Sequence, residues 1–208
     1  TSRVLVHRSL FDDFSSTLKS VFESVAPGDP FADETLLGPM ATELAFKRYL
    51  ARLREVESWG IEALVPTRVL DGGAFVTPSI HVRPEGGSAA WDAYVAEELF
   101  GPDVALEGFD SADEVHERLA SSAYGLSQSV FTRSSEKVEN WVQSSRSGIF
   151  NWNRSTNNAS GLLPFGGLGQ SGNFRPAGAG SAMYCSYPVA VLKREYGVVD
   201  WDARFGPL

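Results

Sequence analysis

The sequence predicts an α/β fold around a mainly parallel sheet, and three observations predict it. Short β-branched or apolar runs recur along all but the last part of the 208 residues. Between them lie segments whose apolar residues return at helical spacing. Neither an internal repeat nor a low-complexity linker divides the chain, so these alternating pieces belong to one architecture.

Ser2–His7 is a short β-branched run and reads as a strand that ends at Arg8-Ser9. Ser9 is the expected cap of a helix from Leu10 to about Ala26, where Phe11, Phe14, Leu18, Val21, Phe22 and Val25 form one stripe. Pro27-Gly28-Asp29-Pro30 stops it. Thr42 starts a second helix, with Ala45, Tyr49, Leu50 and Leu53 on its apolar side. Ala63–Val65 and Arg68–Leu70 are strand pieces around Pro66, and Ala74–Val82 is another, interrupted at Pro78. The loop Glu97–Pro102 leads into a strand from Val104 to Phe109. Ser111 caps a helix through Ala120 that buries Val115 and Leu119. Leu126–Thr132 is the next strand and Ser134–Ser144 the next helix. Gly148–Trp152 is a strand entering a Gly/Ser/Asn-rich loop over 153–173. A helical region over 175–183 precedes a final strand, Tyr184–Leu192. On pattern alone that strand is an edge strand, and donation to another chain is the second reading.

Composition narrows the function classes. The net charge is -8 and no Lys/Arg-rich run occurs, which argues against a nucleic-acid partner. The apolar runs fall well short of the roughly 20 residues a membrane helix needs, and no signal-like segment opens the chain. Cys185 is the only cysteine, so no intrachain disulfide forms, which fits a reducing, cytoplasmic compartment. His7, His81 and His116 have no ligand spacing, and no metal site is expected. Neither a Ser/His/Asp set nor Gly-x-Ser-x-Gly is present.

Five motifs, each weak alone, occur in order. They are Gly28-Asp29-Pro30 with Gly38-Pro39, Gly73–Pro78, Glu97-Glu98-Leu99-Phe100-Gly101-Pro102, Tyr124–Ser127 with Val130-Phe131-Thr132, and Pro164-Phe165-Gly166-Gly167. In that order the chain resembles the catalytic domain of the aldehyde dehydrogenase family. Asn151-Trp152-Asn153-Arg154, Ser171-Gly172-Asn173-Phe174-Arg175-Pro176 and Tyr184–Pro188 resemble the branch acting on N-succinylglutamate 5-semialdehyde in arginine catabolism. The chain departs from that branch at Asn158, where relatives usually carry glycine, and near Ser155, where a proline or similar residue is usual. Asparagine tolerates a left-handed backbone best among non-glycine residues, so the loop can keep its shape. Thr1-Ser2-Arg3-Val4-Leu5-Val6, with no methionine, resembles the strand just after the family's catalytic cysteine. The chain is therefore expected to be a C-terminal part, inert by itself.

The resemblance implies a doubly wound catalytic domain over 1–183, lacking the cysteine and the NAD-binding domain. Over 184–208 it implies an oligomerisation strand and tail, hence a homo-oligomer. In such enzymes a cysteine thiolate attacks the aldehyde, hydride passes to a nicotinamide, and a glutamate-activated water releases the acid. No residue here takes the catalytic roles, and Cys185 is expected to be an inert packing residue. NAD is the implied cofactor, with NADP left open. Glu98 would accept hydrogen bonds from the nicotinamide-ribose hydroxyls, and Phe100 would pack beside the nicotinamide. Read without the resemblance, Glu98 is a solvated carboxylate and Phe100 a core residue. Phe165 would line the aldehyde tunnel. Backbone N–H groups at Asn158, Ala159 and Ser160, with the Ser160 hydroxyl, would hold a carboxylate of a small dianionic aldehyde. Arg154 and Arg175 are the candidate cations, against a reading as surface charge or loop bracing. Gly166, Gly167, Gly169 and Gly172 do not follow a dinucleotide fingerprint and serve the turn. The alternatives are an enzyme for another semialdehyde, of glutamate or succinate, and a non-catalytic module that binds a partner through its terminal strand.

Overall fold

The computed structural model describes residues 1–157, 159–193, 196, 201–202 and 206–207. In chain order the elements are β1 (Arg3–His7), α1 (Arg8–Ser24), α2 (Glu43–Ser58), β2 (Ala63–Val65), β3 (Ser79–Val82), α3 (Ala89–Val95), β4 (Asp103–Phe109) and α4 (Ala112–Ala120). There follow β5 (Tyr124–Gly125), β6 (Ser127–Val130), α5 (Ser135–Ser144), β7 (Ile149–Trp152), β8 (Pro164–Phe165), β9 (Leu168–Gly169), β10 (Ala177–Gly178) and α6 (Ser181–Tyr184). A last ladder pairs β11 (Trp201–Asp202) with β12 (Gly206–Pro207).

The main sheet has the order β1-β4-β3-β2. β4 runs parallel to both neighbours, Arg3 opposite Ala105 and Ile80 opposite Val104. β2 closes the edge antiparallel to β3. Side chains alternate along each strand, and helices cover both faces. Val6, Val65, Ile80 and Leu106 point to one face and meet Phe11, Leu18 and Phe22 of α1. Ala105 points to the other and meets Val56, Ile61, Trp91 and Tyr94 from α2, α3 and their connection. Tyr49, Leu53 and Val76 form a third cluster under α2. A separate parallel pair, β6 and β7, carries the C-terminal third, with Ser127 opposite Ile149 and Val130 opposite Trp152. The expected α/β architecture with a mainly parallel sheet is what forms.

Thr42, Ser111 and Ser134 cap α2, α4 and α5, each accepting from a backbone N–H three residues on. Several expectations are corrected. His7, not Ser9, caps α1: its Nδ1 accepts from the Ser9 backbone N–H at 3.3 Å. An imidazole two residues upstream reaches this donor, and Ser9 is drawn into the first turn. Arg68–Leu70 and Ala74–Pro78 reduce to a bridge between Val69 and Val76, because Pro66 and Pro78 cannot donate to a ladder. Helix α3, which no apolar stripe in the sequence announces, forms on Ser88, whose hydroxyl accepts from Trp91 N at 3.1 Å. The helical region near 175–183 shrinks to α6, since Gly178 takes φ 62° and Pro176 lacks a donor. Tyr184 ends α6, and 185–193 pairs with no strand among the described residues.

Candidate functional site

Helix α3 and strand β4 are joined by the loop 96–102, which carries both expected cofactor residues. Phe100 has φ 52°, a left-handed conformation rare for an aromatic side chain. Next to it, a Cβ on Gly101 would lie 2.4 Å from ring carbons of Tyr49, so only glycine lets α2 approach here. The loop is pinned to β3 where Ser79 N donates to Pro102 O at 2.9 Å. It forms one wall of a cleft of about 120 Å³, whose lining includes Thr1, Arg3, Tyr94, Glu98, Phe100 and Asp103.

Glu98 is exposed, and among the described residues it makes neither an ion pair nor a hydrogen bond. Glu97, by contrast, pairs with Arg52 at 3.4 Å. Both Glu98 oxygens therefore stay open to incoming donors. Phe100 is 78% exposed, so it is not the core residue that the chain's pattern alone suggested.

Beneath the loop sits a buried polar cluster that sequence reasoning missed. Asp103 accepts from Tyr94 Oη at 2.5 Å and from Ser79 Oγ at 2.6 Å. His81 Nδ1 lies 2.8 Å from the same carboxylate, and Tyr49 Oη hydrogen-bonds with Ser79 Oγ at 3.1 Å. Burial pushes the Tyr49 phenol up to about 12, and burial followed by the Asp103 charge pushes Tyr94 up as well. A phenol whose folded pKa lies above the ordinary 10 contributes stability that is complete below pH 10 and is lost as the pH rises toward 12. The urea midpoint is therefore expected to fall across that window, and to fall less steeply in Tyr49→Phe. An equal fall in both proteins would contradict the assignment to Tyr49.

Arg3 also reaches a second cleft of about 560 Å³, lined among others by Arg8, Arg83, Asp92, Glu114 and Arg118. Three of these lining cations meet on fully buried Glu107, which pairs with Arg3 and, at 3.5 Å each, with Arg83 and Arg118. Arg118 also binds Glu114 at 2.5 Å. The Asp110 backbone N–H, and after it the Arg118 charge, hold the Glu114 carboxyl below its ordinary range. Arg3 and Arg118 each bind a further acceptor, the backbone carbonyls of Arg118 and Gly108, so this is a structural ion-pair cluster.

The expected substrate residues lie on another part of the chain. Arg154, Ala159 and Ser160 are exposed on the loop after β7, and Asn158 lies outside the described residues. Phe165 sits in β8, 40% exposed. None of the four described residues lines either cleft. The loop nevertheless reaches the first cleft, since Thr156 Oγ1 meets Thr1 Oγ1 at 2.6 Å. Ser129 Oγ donates to Arg154 O, and Ser127 Oγ to Thr156 O at 3.1 Å. Arg154 and Arg175 make no ion pair among the described residues, so bracing by carboxylates does not account for either. The Ser160 hydroxyl accepts from Leu162 N at 3.2 Å and still has its own proton to donate. The glycines of the 166–172 turn serve close packing: a Cβ on Gly167 would stand 2.4 Å from Ser171 O. Cys185 is exposed and lines neither cleft. Among the described residues no helix is long and apolar enough to cross a membrane, and no His/Cys/Asp/Glu group of three could hold a metal ion.

Comparison with known proteins converges on one family. Residues 1–190 match the family model described as "Aldehyde dehydrogenase family". An N-succinylglutamate 5-semialdehyde dehydrogenase of Escherichia coli O7:K1 is 32% identical over 88% of this chain and 37% of its own length. The enzyme of that name from Escherichia coli K12 is 31% identical over the same shares. An NAD+ complex of an aldehyde dehydrogenase from Bacillus cereus superposes with a TM-score of 0.77 at 30% identity, over 86% of this chain and 35% of that one. Aldehyde dehydrogenase 21 from Physcomitrella patens, in complex with the reaction product succinate, gives 0.75 at 27% identity, over 86% and 36%. The chain thus spans just over a third of the length of these proteins.

Proposed function

This chain belongs to the aldehyde dehydrogenase family, and from that premise we propose that the complete polypeptide carrying it oxidises N-succinylglutamate 5-semialdehyde to N-succinylglutamate with NAD, a step of arginine catabolism. The observation that carries the cofactor half is Glu98, an open carboxylate on the rim of a cleft with Phe100 beside it. Two free oxygens suit a pair of ribose hydroxyls, and an exposed ring suits a flat nicotinamide. NAD, when bound, accepts the hydride that leaves the aldehyde carbon. NAD is preferred over NADP because the Bacillus cereus relative is an NAD+ complex.

The choice of aldehyde follows the two Escherichia coli relatives and the cations on the loop after β7. Arg154 and Arg175 offer guanidinium forks to a dianion, Ala159 and Ser160 offer backbone and hydroxyl donors, and Phe165 offers an apolar wall. Asn158 joins that set on the resemblance alone. Since Cys185 lines neither cleft, the attacking thiolate comes from the remainder of the complete polypeptide. A single cysteine in this chain fits a reducing compartment such as the cytoplasm.

The segment after Met183 is proposed as an arm donated to a second copy of the subunit, apart from the catalytic part over 1–183. Tyr187, Val189 and Val191 alternate along it and are 82%, 67% and 68% exposed, the period of a strand that lacks its partner.

A second reading has one observation in its favour: the Physcomitrella patens relative holds succinate, which points to succinate semialdehyde. NADH formation by the complete polypeptide, with N-succinylglutamate, succinate and glutamate semialdehydes side by side, separates the readings. The highest kcat/KM is expected for the succinylated aldehyde. Preference for another aldehyde would overturn the substrate, and no turnover of any would favour a partner-binding module.

A further inference from the structure

The polar cluster under the Glu98 loop is placed to do more than fill the core. Tyr94 is the penultimate residue of α3, and Asp103 is the first of β4. Their side chains meet at 2.5 Å, so one hydrogen bond ties together the two ends of the loop that carries Glu98 and Phe100. The tie is braced from below. Ser79 and His81, both on β3, hold the other carboxylate oxygen at 2.6 and 2.8 Å. Tyr49 binds Ser79 through its hydroxyl and packs its ring on Gly101. α2, α3, β3 and β4 thus converge on one carboxylate.

Such a cluster is an expensive way to fill space. A buried carboxylate loses its hydration and recovers it only through well-aligned donors, whereas apolar side chains of similar volume would pack without that requirement. What it supplies is direction, because hydrogen bonds fix distances and angles that apolar packing leaves loose. The loop above has a matching need: Phe100 is held at φ 52°, which persists only where the surroundings impose it.

We propose that the Tyr94–Asp103 hydrogen bond, braced by Ser79, His81 and Tyr49, is a staple that sets the position of Glu98 and Phe100 and thereby the affinity for the nicotinamide cofactor. Tyr94 and Asp103 are positioning residues. Tyr94 is 2% exposed and the Asp103 side chain 4%, so although both border the first cleft they offer the cofactor almost no surface, and their influence passes through the loop. The inference rests on the reading of Glu98 as the ribose contact.

The test uses the complete polypeptide with Tyr94→Phe, Asp103→Asn, Glu98→Gln and the double variant E98Q/Y94F. NAD affinity is read by titrating intrinsic fluorescence, alongside the aldehyde KM and the thermal midpoint of the cofactor-free protein. Tyr94→Phe keeps the ring and removes one hydroxyl, so it carries the result if Asp103→Asn fails to fold. It is expected to weaken NAD binding about threefold to tenfold while leaving the aldehyde KM unchanged. The double variant is expected to bind NAD less weakly than two independent losses would give, because part of the staple's effect passes through Glu98. If E98Q weakens NAD but Tyr94→Phe lowers only the thermal midpoint, the staple is overturned and the Glu98 reading stands. If E98Q binds NAD as the unsubstituted protein does, the Glu98 reading falls and takes the inference with it.

Discussion

Replacing Glu107 with alanine is expected to lower the unfolding free energy by about 3–5 kcal/mol. Its carboxylate is fully buried and is the shared counter-ion of Arg3, Arg83 and Arg118. Arg3 comes from β1, Arg83 follows β3, and Arg118 is in α4, so one acceptor joins three elements. Its loss leaves three guanidinium groups facing one another in a partly desolvated space, which costs more than the pairs themselves contribute. Glu107→Gln keeps the volume and removes the charge, so most of the effect is expected to remain. Arg8→Ala, at an exposed pair with Asp110, serves as the contrast, with an expected change below about 1 kcal/mol. Urea unfolding at constant m-value measures all three. A loss under about 1 kcal/mol in Glu107→Ala would show that the cations relax into solvent and that the cluster is not a junction.

Gly148→Ala is the second large effect, and it falls on the substrate side. A Cβ there would stand 1.6 Å from the carbonyl oxygen of Gly166, which is backbone and cannot rotate away. On its other side Gly148 is held in place, its N–H donating to Gly125 O at 3.0 Å. Either the start of β7 or the turn after Phe165 must move. Overpacking of this kind costs about 1–3 kcal/mol, and more where the obstacle is main chain. Because Gly166 follows Phe165 directly, the aldehyde KM of the complete polypeptide is expected to rise while NAD affinity, governed from the Glu98 cleft, stays as it was. Equal losses in both would mean that the turn and the Glu98 loop move as one body. Unchanged stability and KM would mean that the turn shifts freely.

These two sites mark the limit of what could be read from the order of residues. Glu98 and Phe100 could be named as candidates because Glu-Glu-Leu-Phe-Gly-Pro is a contiguous string, and Ser111 as a cap, with Thr42 and Ser134 as helix starts, because a cap and the N–H it serves lie three residues apart. α3 escaped because Ala89 and Ala90 give little amphipathic contrast, although Ser88 with Trp91, Tyr94 and Val95 held the signal. Arg154, Ser160 and Phe165 were named from motifs, but their distance from the first cleft was not in those motifs. Asp103 stands one residue before the expected strand Val104–Phe109 and Glu107 within it, and nothing in the order of residues says which groups would face them.

The division has a physical cause. Capping, turn chemistry, apolar periodicity and family motifs act over a few neighbouring residues, so the α/β class, the position of most elements and the candidate cofactor residues are properties of the chain read in one dimension. Ion pairs and buried hydrogen bonds choose partners in space: Glu107 finds Arg3 across 104 positions, and Asp103 finds Ser79 across 24. Only the folded sheet, by laying β1, β4 and β3 side by side, decided which charges would be neutralised, which loop would be stapled, and that the run after Tyr184 would find no strand within its own described chain to pair with.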